Sequence, residues 1–527
     1  MLLLSVACGS TVPTTGSGTL GAGPAAGAAP DGLSLPAVNG AGQPLDLGAG
    51  STVTAADGSV AVAGGTGAAG DSGFAGTSSS GGGGVGSGGG GSSSGGAPGA
   101  GGTAPGGAAP AAGKVPGIEN GFIKIGVFNA KNTAAAYAAI GASALAGSGY
   151  GERMREALVK EINRTGIKGL KVKLVNYDID QNDASTSSEV HQQKACAKWT
   201  SDDRVFAAIA GEGEVLDACL AKAGVLEICG TCAISTYDQS KMNAVPLLFS
   251  PNGVAVDRQD EFYVRGLVEG GFFTGMGNQV PGPPKVGFLT YNDPVRKRQT
   301  PRLEAELQKQ TGLTFAERGE LPQPGGGEGD ARFLNAIQNF MLQFKAKGVN
   351  RIMMLDNSGQ TAAYGMQAAD KNGYFPRWGF NSTSGPGILF SAGVVPDSEL
   401  PGMTVTGWQP ASDVGIKKDT QLPPGLPACI ELFKKAGINL AGDTDYLQAG
   451  SNCDAFLFFR DALAAAPGVS VQQFGAGAAS LGGAFKTSVV YGANQASGRR
   501  DNGSAYRVAA YDKPCNCFRY VGPQRPI

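Results

Sequence analysis

Residues 122–128, with the sequence FIKIGVF, form an apolar run rich in β-branched side chains, and they predict a strand. Residues 150–163 follow with apolar side chains at helical spacing, and residues 171–177 alternate between apolar and polar side chains like a second strand. The alternation of strand and helix continues as far as residues 246–250. Strands that alternate with helices predict a parallel sheet that carries helices on both faces.

The same pattern begins again after a helical segment at residues 257–274. Residues 285–290 (KVGFLT) and 351–355 (RIMML) predict buried strands, with amphipathic helices between them. The predicted fold class is therefore α/β, with two doubly wound parallel-sheet lobes. Ligands of open parallel sheets bind beyond the carboxyl ends of the strands. Two such edges that face each other form a cleft, which a hinge motion can close around a ligand.

The N-terminal part of the chain has a different composition. A short apolar run, MLLLSVA, precedes Cys8, and this is typical of the end of a bacterial lipoprotein signal. We therefore expect residues 1–8 to hold a signal remnant and a lipidated anchor cysteine, and we expect the true start of the chain to lie upstream, because no basic segment precedes the run. Residues 9–117 are rich in Gly, Ala and Ser, and we expect a disordered linker there because such a composition buries too little apolar surface to offset its ordering entropy.

The overall charge excludes one class of partner. The formal net charge is −1, without the basic excess of a nucleic-acid-binding surface, so we expect no nucleic-acid partner. No stretch approaches the roughly 18 apolar residues that a membrane helix requires. We therefore expect an extracytoplasmic protein that contacts the membrane only through its lipid anchor.

The cysteines predict an oxidising compartment. The chain has 9 of them, and setting Cys8 aside leaves an even number that falls in neighbouring couples. Even parity beside an export signal predicts disulfide bonds, although sequence alone does not determine the connectivity, and reduced, buried cysteines are the alternative. The candidate pairs are Cys196 with Cys219, Cys229 with Cys232, Cys429 with Cys453, and Cys515 with Cys517.

Motifs for catalysis are scarce. The single histidine, His191, excludes a histidine-rich metal site, and its polar helical setting predicts a solvated surface residue. The chain has no nucleophile elbow, no H-E-x-x-H and no P-loop, so we expect no enzyme, no metal and no cofactor. The C-x-x-C of residues 229–232 leaves thiol-disulfide oxidoreductase chemistry as an alternative. That chemistry needs its first cysteine at a helix N-terminus, whereas residues 233–236 predict a strand.

Several motifs, taken in order, resemble the type I periplasmic binding proteins, in particular the branched-chain amino acid and amide group of ABC-transporter solute receptors. The segment IKIGVFNA at residues 123–130 resembles the first strand of that family. Residues 149–163 are similar to its first helix, and residues 167–178 to its second strand. The resemblance covers about Ile123 to Val521 and implies two lobes joined by three crossovers.

The resemblance also implies a domain organisation and a function. Lobe one would hold residues 118–250 and 411–490, and lobe two residues 251–410 and 491–527. The implied function is that of an extracytoplasmic solute-binding protein, which closes on a small polar molecule and delivers it to an ABC permease. A ligand-sensing receptor subunit of the same fold is the alternative.

Carried over position by position, the resemblance implies cleft residues in the turns after the strands. These are Tyr150, Glu212, Gly213, Ser235, Thr236, Tyr291, Asn357, Ser382 and Thr383. Structural roles are the alternatives: the pair at 235–236 would cap a turn, the tyrosine at 291 would pack under its strand, and the asparagine at 357 would cap a helix.

The charges at these positions predict the class of ligand. Glu212 or Glu214 would repel a carboxylate, and Ser382 or Thr383 is neutral where the family uses a glutamate for the ligand's ammonium. A buried charge without a partner costs several kcal/mol. We therefore expect the ligand to differ from an ordinary branched-chain amino acid. The alternative is that both glutamates point to solvent.

Overall fold

The structure is a computed structural model, and it describes most of the chain beyond the predicted linker. The described residues are 115–134, 149–180, 186–210, 213–230, 236–275, 280–323, 328–356, 359–417, 420–495 and 498–527. The predicted signal remnant and anchor at 1–8, and nearly all of the predicted linker at 9–117, lie outside the described residues.

The first group of elements alternates strand and helix as the sequence predicts. In chain order these are β1 (Ile118–Glu119), β2 (Phe122–Lys131), α1 (Gly151–Thr165), β3 (Lys171–Asp180), α2 (Ser188–Ala197), β4 (Ala207–Ile209), α3 (Glu214–Ala223), β5 (Leu226–Ile228), α4 (Gln239–Ala244) and β6 (Leu248–Phe249). Strands β3, β2, β4, β5 and β6 lie side by side and parallel, and only the short β1 runs antiparallel, against β2.

The second group repeats the pattern. Its elements are α5 (Val256–Glu269), β7 (Val286–Tyr291), α6 (Pro294–Thr311), β8 (Phe315–Leu321), α7 (Glu328–Ala346), β9 (Arg351–Met354), α8 (Gln360–Lys371), β10 (Arg377–Asn381), α9 (Pro386–Ser391), β11 (Thr404–Gly407) and α10 (Pro410–Asp413). Strands β8, β7, β9, β10 and β11 are parallel neighbours in a second sheet.

The C-terminal elements are divided between the two sheets. They are α11 (Leu426–Lys435), α12 (Asp443–Ala465), α13 (Val471–Leu481), β12 (Ala505–Asp512), β13 (Cys517–Tyr520) and β14 (Arg525–Pro526). The three helices pack with the first sheet in one hydrophobic core, where Phe433, Phe456 and Phe459 are fully buried beside Ile125. The three strands instead extend the second sheet, with β12 antiparallel to β11.

The chain therefore crosses three times between its two sheets. We define the first crossing as residues 250–255, the second as 408–425 and the third as 486–504, from the elements that flank them. We use lobe one for the first sheet with its helices, and lobe two for the second sheet with its helices. The predicted fold class, two doubly wound lobes joined by three crossovers, is confirmed. The boundaries predicted at 250, 410 and 490 stay predictions.

Residues 184–200 predict a single helix, and the structure differs from this expectation and from the one for His191. Helix α2 ends at Ala197 and continues as a π-helical turn that buries Trp199, whose indole N–H donates to the carbonyl of Val175 at 3.2 Å. His191 is 9 % exposed, and its Nδ1 lies 3.3 Å from the hydroxyl of Tyr177. The prediction of a solvated histidine was wrong because α2 packs this face against the edge strand β3.

Candidate functional site

The two lobes meet near the carboxyl ends of β5 and β7. The carbonyl of Tyr237, between β5 and α4, accepts a hydrogen bond from the backbone N–H of Val256, the first residue of α5, at 2.9 Å. Asp238 caps the N-terminus of α4, and its Oδ2 lies 2.5 Å from Nε of Arg298 on α6. The segment after β5 in lobe one therefore lies against the helices that begin lobe two. This seam is where a cleft between the strand ends would close.

The seam contains an ion pair with one buried partner. The Asp238 side chain is 4 % exposed, whereas that of Arg298 is 46 % exposed. Burial alone would raise the pKa of Asp238, but the hydrogen bond from Arg298 and the N–H of Lys241 lower it below its ordinary value. The carboxylate is thus held ionised where the two lobes touch.

Lys241 faces the seam from α4, and its role was not predicted from the sequence. Its ammonium lies 4.2 Å from the ring centroid of Tyr237 and is paired with the carboxylate of Glu214 at the start of α3. Burial, together with the charges of Arg298 and Arg296 of α6 and against the opposing charge of Asp293, lowers the pKa of Lys241 to about 8. The sequence gives only a weak signal, a lysine in a six-residue polar helix.

The ion pair bears on the expected class of ligand. The Glu214 carboxylate is 72 % exposed and is neutralised by Lys241, so it does not present an unpaired negative charge to a ligand. Glu212 lies outside the described residues. The argument that glutamates here would repel a carboxylate therefore depends on Glu212 alone, and the expected ligand class stays a prediction.

Gly213 holds the loop that precedes α3. Its φ is 137°, a backbone conformation that favours glycine, and a Cβ there would lie 3.0 Å from Nε2 of Gln192. Gln192 also accepts the backbone N–H of Leu216 at 3.2 Å. This position therefore brings the backbone, and not a side chain, close to the predicted cleft.

A buried carboxyl group lies directly behind the seam. Thr236 is half-buried just before Tyr237, whose hydroxyl donates to Asp217 of α3, and Glu227 of β5 hydrogen-bonds the same carboxyl group. Burial raises the pKa of Asp217 to about 6. Ser235, the other predicted residue of this turn, lies outside the described residues.

In lobe two, the hydroxyl of Tyr291 is hydrogen-bonded to other side chains of the protein. It is buried at the end of β7, its hydroxyl lies 3.3 Å from Oδ1 of Asp356, and the hydroxyl of Thr361 donates to it at 2.7 Å. These contacts agree with the structural alternative for Tyr291. Asn357, the neighbouring predicted residue, lies outside the described residues.

The hydroxyl groups of Ser382 and Thr383 also form hydrogen bonds with backbone groups. The Ser382 hydroxyl accepts the backbone N–H of Trp408 at 2.7 Å and of Gln409 at 3.2 Å. The Thr383 hydroxyl lies 2.5 Å from the carbonyl of Asp356. Both side chains are buried and hold the second crossing and the end of β9 in place. Their predicted role in ligand binding stays a prediction.

Tyr150 lies in lobe one, immediately before α1. It is partly buried against the first core, and the guanidinium of Arg153 lies 5.0 Å from its ring centroid. Residues 135–148, which precede it, lie outside the described residues.

Among the predicted residues, the structure brings two separate polar groups together. Glu214 pairs with Lys241 in lobe one, and Tyr291 and Thr383 lie around Asp356 in lobe two.

Buried aspartates tie the first and third crossings to both lobes. Asp454 of α12 accepts hydrogen bonds from the N–H of Ser488 at 2.5 Å and from Nδ2 of Asn252 at 3.1 Å. At the other end, Asp501 accepts the N–H of Ala255 at 2.9 Å and pairs with Arg258 of α5. Between these ties, the first crossing contains only residues 253–254.

The second crossing is held in the same way. Oδ2 of Asp413 accepts the N–H of Gln409 and the hydroxyl of Tyr520, both at 2.9 Å. Asp443, the first residue of α12, accepts the N–H of Ile416 at 2.7 Å. Residues 414–415 lie between the two ties, and we call them the hinge window. Burial raises the pKa of Asp413 to about 7, and that of Asp454 to about 7.

The glycine of the hinge window, Gly415, is closely packed. Its φ is 75°, in the left-handed region, and a Cβ there would lie 2.5 Å from Oδ2 of Asp443. Glycine thus suits this position for two reasons, backbone conformation and space.

Disulfides join elements within each lobe. The structure contains the predicted pairs Cys196–Cys219, Cys429–Cys453 and Cys515–Cys517. Cys229 is also disulfide-bonded, and its predicted partner, Cys232, lies outside the described residues. Cys229 is fully buried and directly follows β5, so it has neither the exposure nor the helix N-terminus of a catalytic thiol.

No helix among the described residues is both long enough and apolar enough to cross a membrane. Within the same part of the chain, no three His, Cys, Asp or Glu side chains are grouped so that they could hold a metal ion.

The fold was compared with those of known proteins. No family model and no curated protein matches the sequence. Among solved structures, an ABC-transporter substrate-binding protein from Desulfitobacterium hafniense, in complex with Leu, is similar with a TM-score of 0.50 and 14% identity over 76% of this chain and 100% of its own. A solute-binding protein from Rhodopseudomonas palustris, in complex with p-hydroxybenzoic acid, has a TM-score of 0.53 and 12% sequence identity, and the match covers 77% of this chain and 97% of that protein. A leucine-binding protein from Thermotoga maritima has a TM-score of 0.51 and 11% sequence identity, and the match covers 76% of this chain and 98% of that protein.

These similarities concern the fold. At this level of identity the sequences carry no argument about ligands, but each neighbour is matched over nearly its whole length. The protein has the fold of the type I periplasmic binding proteins, and the recognition of this fold from the sequence is confirmed.

Proposed function

We propose that this protein is an extracytoplasmic solute-binding protein of an ABC importer, which closes its two lobes on a small polar molecule. The observation that carries the proposal is the paired architecture: two parallel sheets, three crossings tied by buried aspartates, and a polar seam where strand ends approach. Solved neighbours of the same fold are named as binding proteins for leucine and for hydroxybenzoates. A small-molecule solute and a membrane permease are the partners that such a function requires.

The proposed mechanism is lobe closure by hinge rotation. We place the backbone rotation at the short segments 253–254 and 414–415, which lie between the ties of the first and second crossings. A ligand held between the lobes stabilises the closed form by its differential contacts with the two forms. The Asp238–Arg298 ion pair already joins the two sides of the seam, and Lys241 lies beside it on lobe one.

We propose Tyr150, Glu212, Gly213, Ser235, Thr236 and Asn357 as the residues nearest the ligand. Gly213 would contribute its backbone, because a Cβ at that position would lie 3.0 Å from Nε2 of Gln192. Lys241 joins the set as a cation whose own partner is exposed.

Titration with candidate ligands tests the function. We expect saturable binding of a small polar molecule, with a rise of about 2.7 kcal/mol in the free energy of unfolding at a ligand concentration of 100 times Kd. Lys241→Gln should weaken binding, while Lys434→Gln, an exposed lysine on α11, should leave it unchanged. Small-angle scattering should show a smaller radius of gyration with ligand. If none of a broad set of amino acids, organic acids and sugars binds, and the lobes do not close, the proposal is wrong.

Calorimetry with leucine, isoleucine and valine tests the proposed ligand class separately. We expect no affinity near the micromolar level for any of the three. Micromolar binding of one of them would refute the proposed ligand class and leave the solute-binding function intact.

We further propose that Cys8 is lipidated and anchors the protein to the membrane. The apolar run before Cys8 supports this proposal. Metabolic labelling with a fatty acid should mark the full chain, and Cys8→Ser should remove the label and release the protein from the membrane fraction. Equal labelling of both proteins would contradict the anchor.

A further inference from the structure

A cavity of about 450 Å³ lies on lobe two, away from the predicted cleft. It is formed by α9, by the part of the second crossing that contains Val414 and Lys417, and by the tip of the hairpin β12–β13. Strand β12 runs antiparallel to β11, with Thr404 opposite Ala510, so the hairpin tip lies beyond the amino end of β11. The cleft is expected at the carboxyl ends of the strands. The cavity is therefore a separate site.

The walls of the cavity are aromatic, aliphatic and polar, since Ser391 and Asn516 line it beside Phe390, Phe518 and Val414. Phe390 and Phe518 have ring centroids 5.8 Å apart and ring planes at 76°, so the two rings are in edge-to-face contact with each other. The disulfide Cys515–Cys517 forms the rim at the hairpin tip. Phe518 is 2 % exposed, so the half-buried Phe390 supplies most of the aromatic surface that a flat group can contact. The volume is within the usual range for a small-molecule site.

A cation lies at the mouth of the cavity. Among the described residues that line it, Lys417 is the one that is charged, and this residue is exposed. The ammonium donates to the carbonyl of Phe518 at 3.4 Å, a long hydrogen bond that leaves its other protons available. The nearby carboxylate of Asp443 is engaged, since it accepts the N–H of Ile416 at 2.7 Å and the hydroxyl of Ser391 at 3.0 Å.

From these observations we propose that the cavity is a second ligand site, which binds a small aromatic carboxylate with its ring against the contacting pair Phe390 and Phe518 and its carboxylate on Lys417. An aromatic pair with a cation at the mouth complements an aromatic anion better than a sugar or a zwitterion. The site adjoins the hinge window through Val414. Its existence does not depend on which solute the cleft binds.

Benzoate is the probe, used with the full chain and detected by ligand-observed NMR. We expect saturable binding in the millimolar range, which is usual for a ligand of this size. The neutral isostere benzamide should bind at least about tenfold more weakly, because it cannot form the charge-assisted contact. Lys417→Gln should weaken benzoate binding about tenfold, and the control Lys434→Gln should leave it unchanged.

Photolabelling with 4-azidobenzoate, followed by peptide mass spectrometry, locates the site. The inference predicts label on peptides that contain Phe390 or residues 515–518. Label only on peptides that contain Tyr291 or Lys241 would show binding in the cleft, and would overturn the second site while supporting the proposed function. Equal benzoate affinity of Lys417→Gln and Lys434→Gln, or no saturable binding, would also overturn it.

Discussion

The buried aspartate that joins two crossings should make the stability of the protein depend on pH. Asp454 is 1 % exposed and accepts hydrogen bonds from Ser488, Val489 and Asn252. Burial raises its pKa from 3.8 to about 7. The native state therefore resists ionisation of this group, whereas the unfolded chain ionises it readily. The test is the substitution Asp454→Asn, which keeps the shape of the side chain and removes its titration.

The sign and the size of the effect follow from the two pKa values. Because the folded pKa is the higher one, the contribution of Asp454 to stability is fully present below pH ~4 and is lost as the pH rises through about 7. One pKa unit is worth about 1.4 kcal/mol, so the complete loss is about 4 kcal/mol. About 2 kcal/mol of this loss falls between pH 5 and pH 7, and little more is lost above pH ~8.

Urea unfolding of both proteins from pH 5 to pH 8 measures the effect. Asp413, with its pKa also raised to about 7, titrates in the same range, so only the difference between wild type and variant isolates Asp454. We expect that difference to change by about 2 kcal/mol between pH 5 and pH 7 in favour of the variant. The exposed Asp397, changed to Asn, is the control and should give a curve parallel to wild type. Parallel curves for Asp454→Asn would refute the reasoning.

Three further predictions concern the hinge, a disulfide and the seam. Gly415→Ala should lower the free energy of unfolding by more than Gly437→Ala, because both glycines have a positive φ but only a Cβ at 415 would lie against a carboxylate. We expect each substitution to cost at least about 1 kcal/mol in thermal unfolding. Equal losses for the two variants would argue against the close packing at Gly415. Replacing Cys429 and Cys453 together by Ser should cost about 3 kcal/mol, from a sequence separation of 24, and an unchanged midpoint in urea would contradict this. Arg298→Ala should lower stability, because it leaves the buried carboxylate of Asp238 without its cation, and it should increase the radius of gyration of the ligand-free protein. An unchanged radius would mean that the ion pair does not hold the lobes.

Local patterns predicted most of the elements well. The apolar positions Met154, Ala157, Leu158 and Ile162 were predicted to share one face of a helix, and α1 buries all of them except Ala157, which is half-buried. The predictions were weaker where tertiary packing overrides local polarity. His191 is an example, because a polar stretch of sequence gave no sign that α2 would cover this side chain against β3.

The candidate site was predicted only in part. The sequence pointed to the turns after the strands, and residues such as Gly213 lie there, next to α3. It gave a structural role for Tyr291 only as an alternative, and it did not indicate that Ser382 and Thr383 would be hydrogen-bonded inside lobe two or that Lys241 would neutralise Glu214. These pairings depend on side-chain directions that the spacing of residues along the chain does not contain.

The sequence by itself determined the alternation of strand and helix, and with it the two-lobed α/β class, because hydrophobic periodicity reports which side of each local segment is buried. It also indicated the cysteine couples. Only the tertiary structure decided how the crossings are held. Asp454 and Asn252 are 202 residues apart and meet through a 3.1 Å hydrogen bond, and a contact of this kind exists only after both sheets have formed and the chain has returned from one to the other.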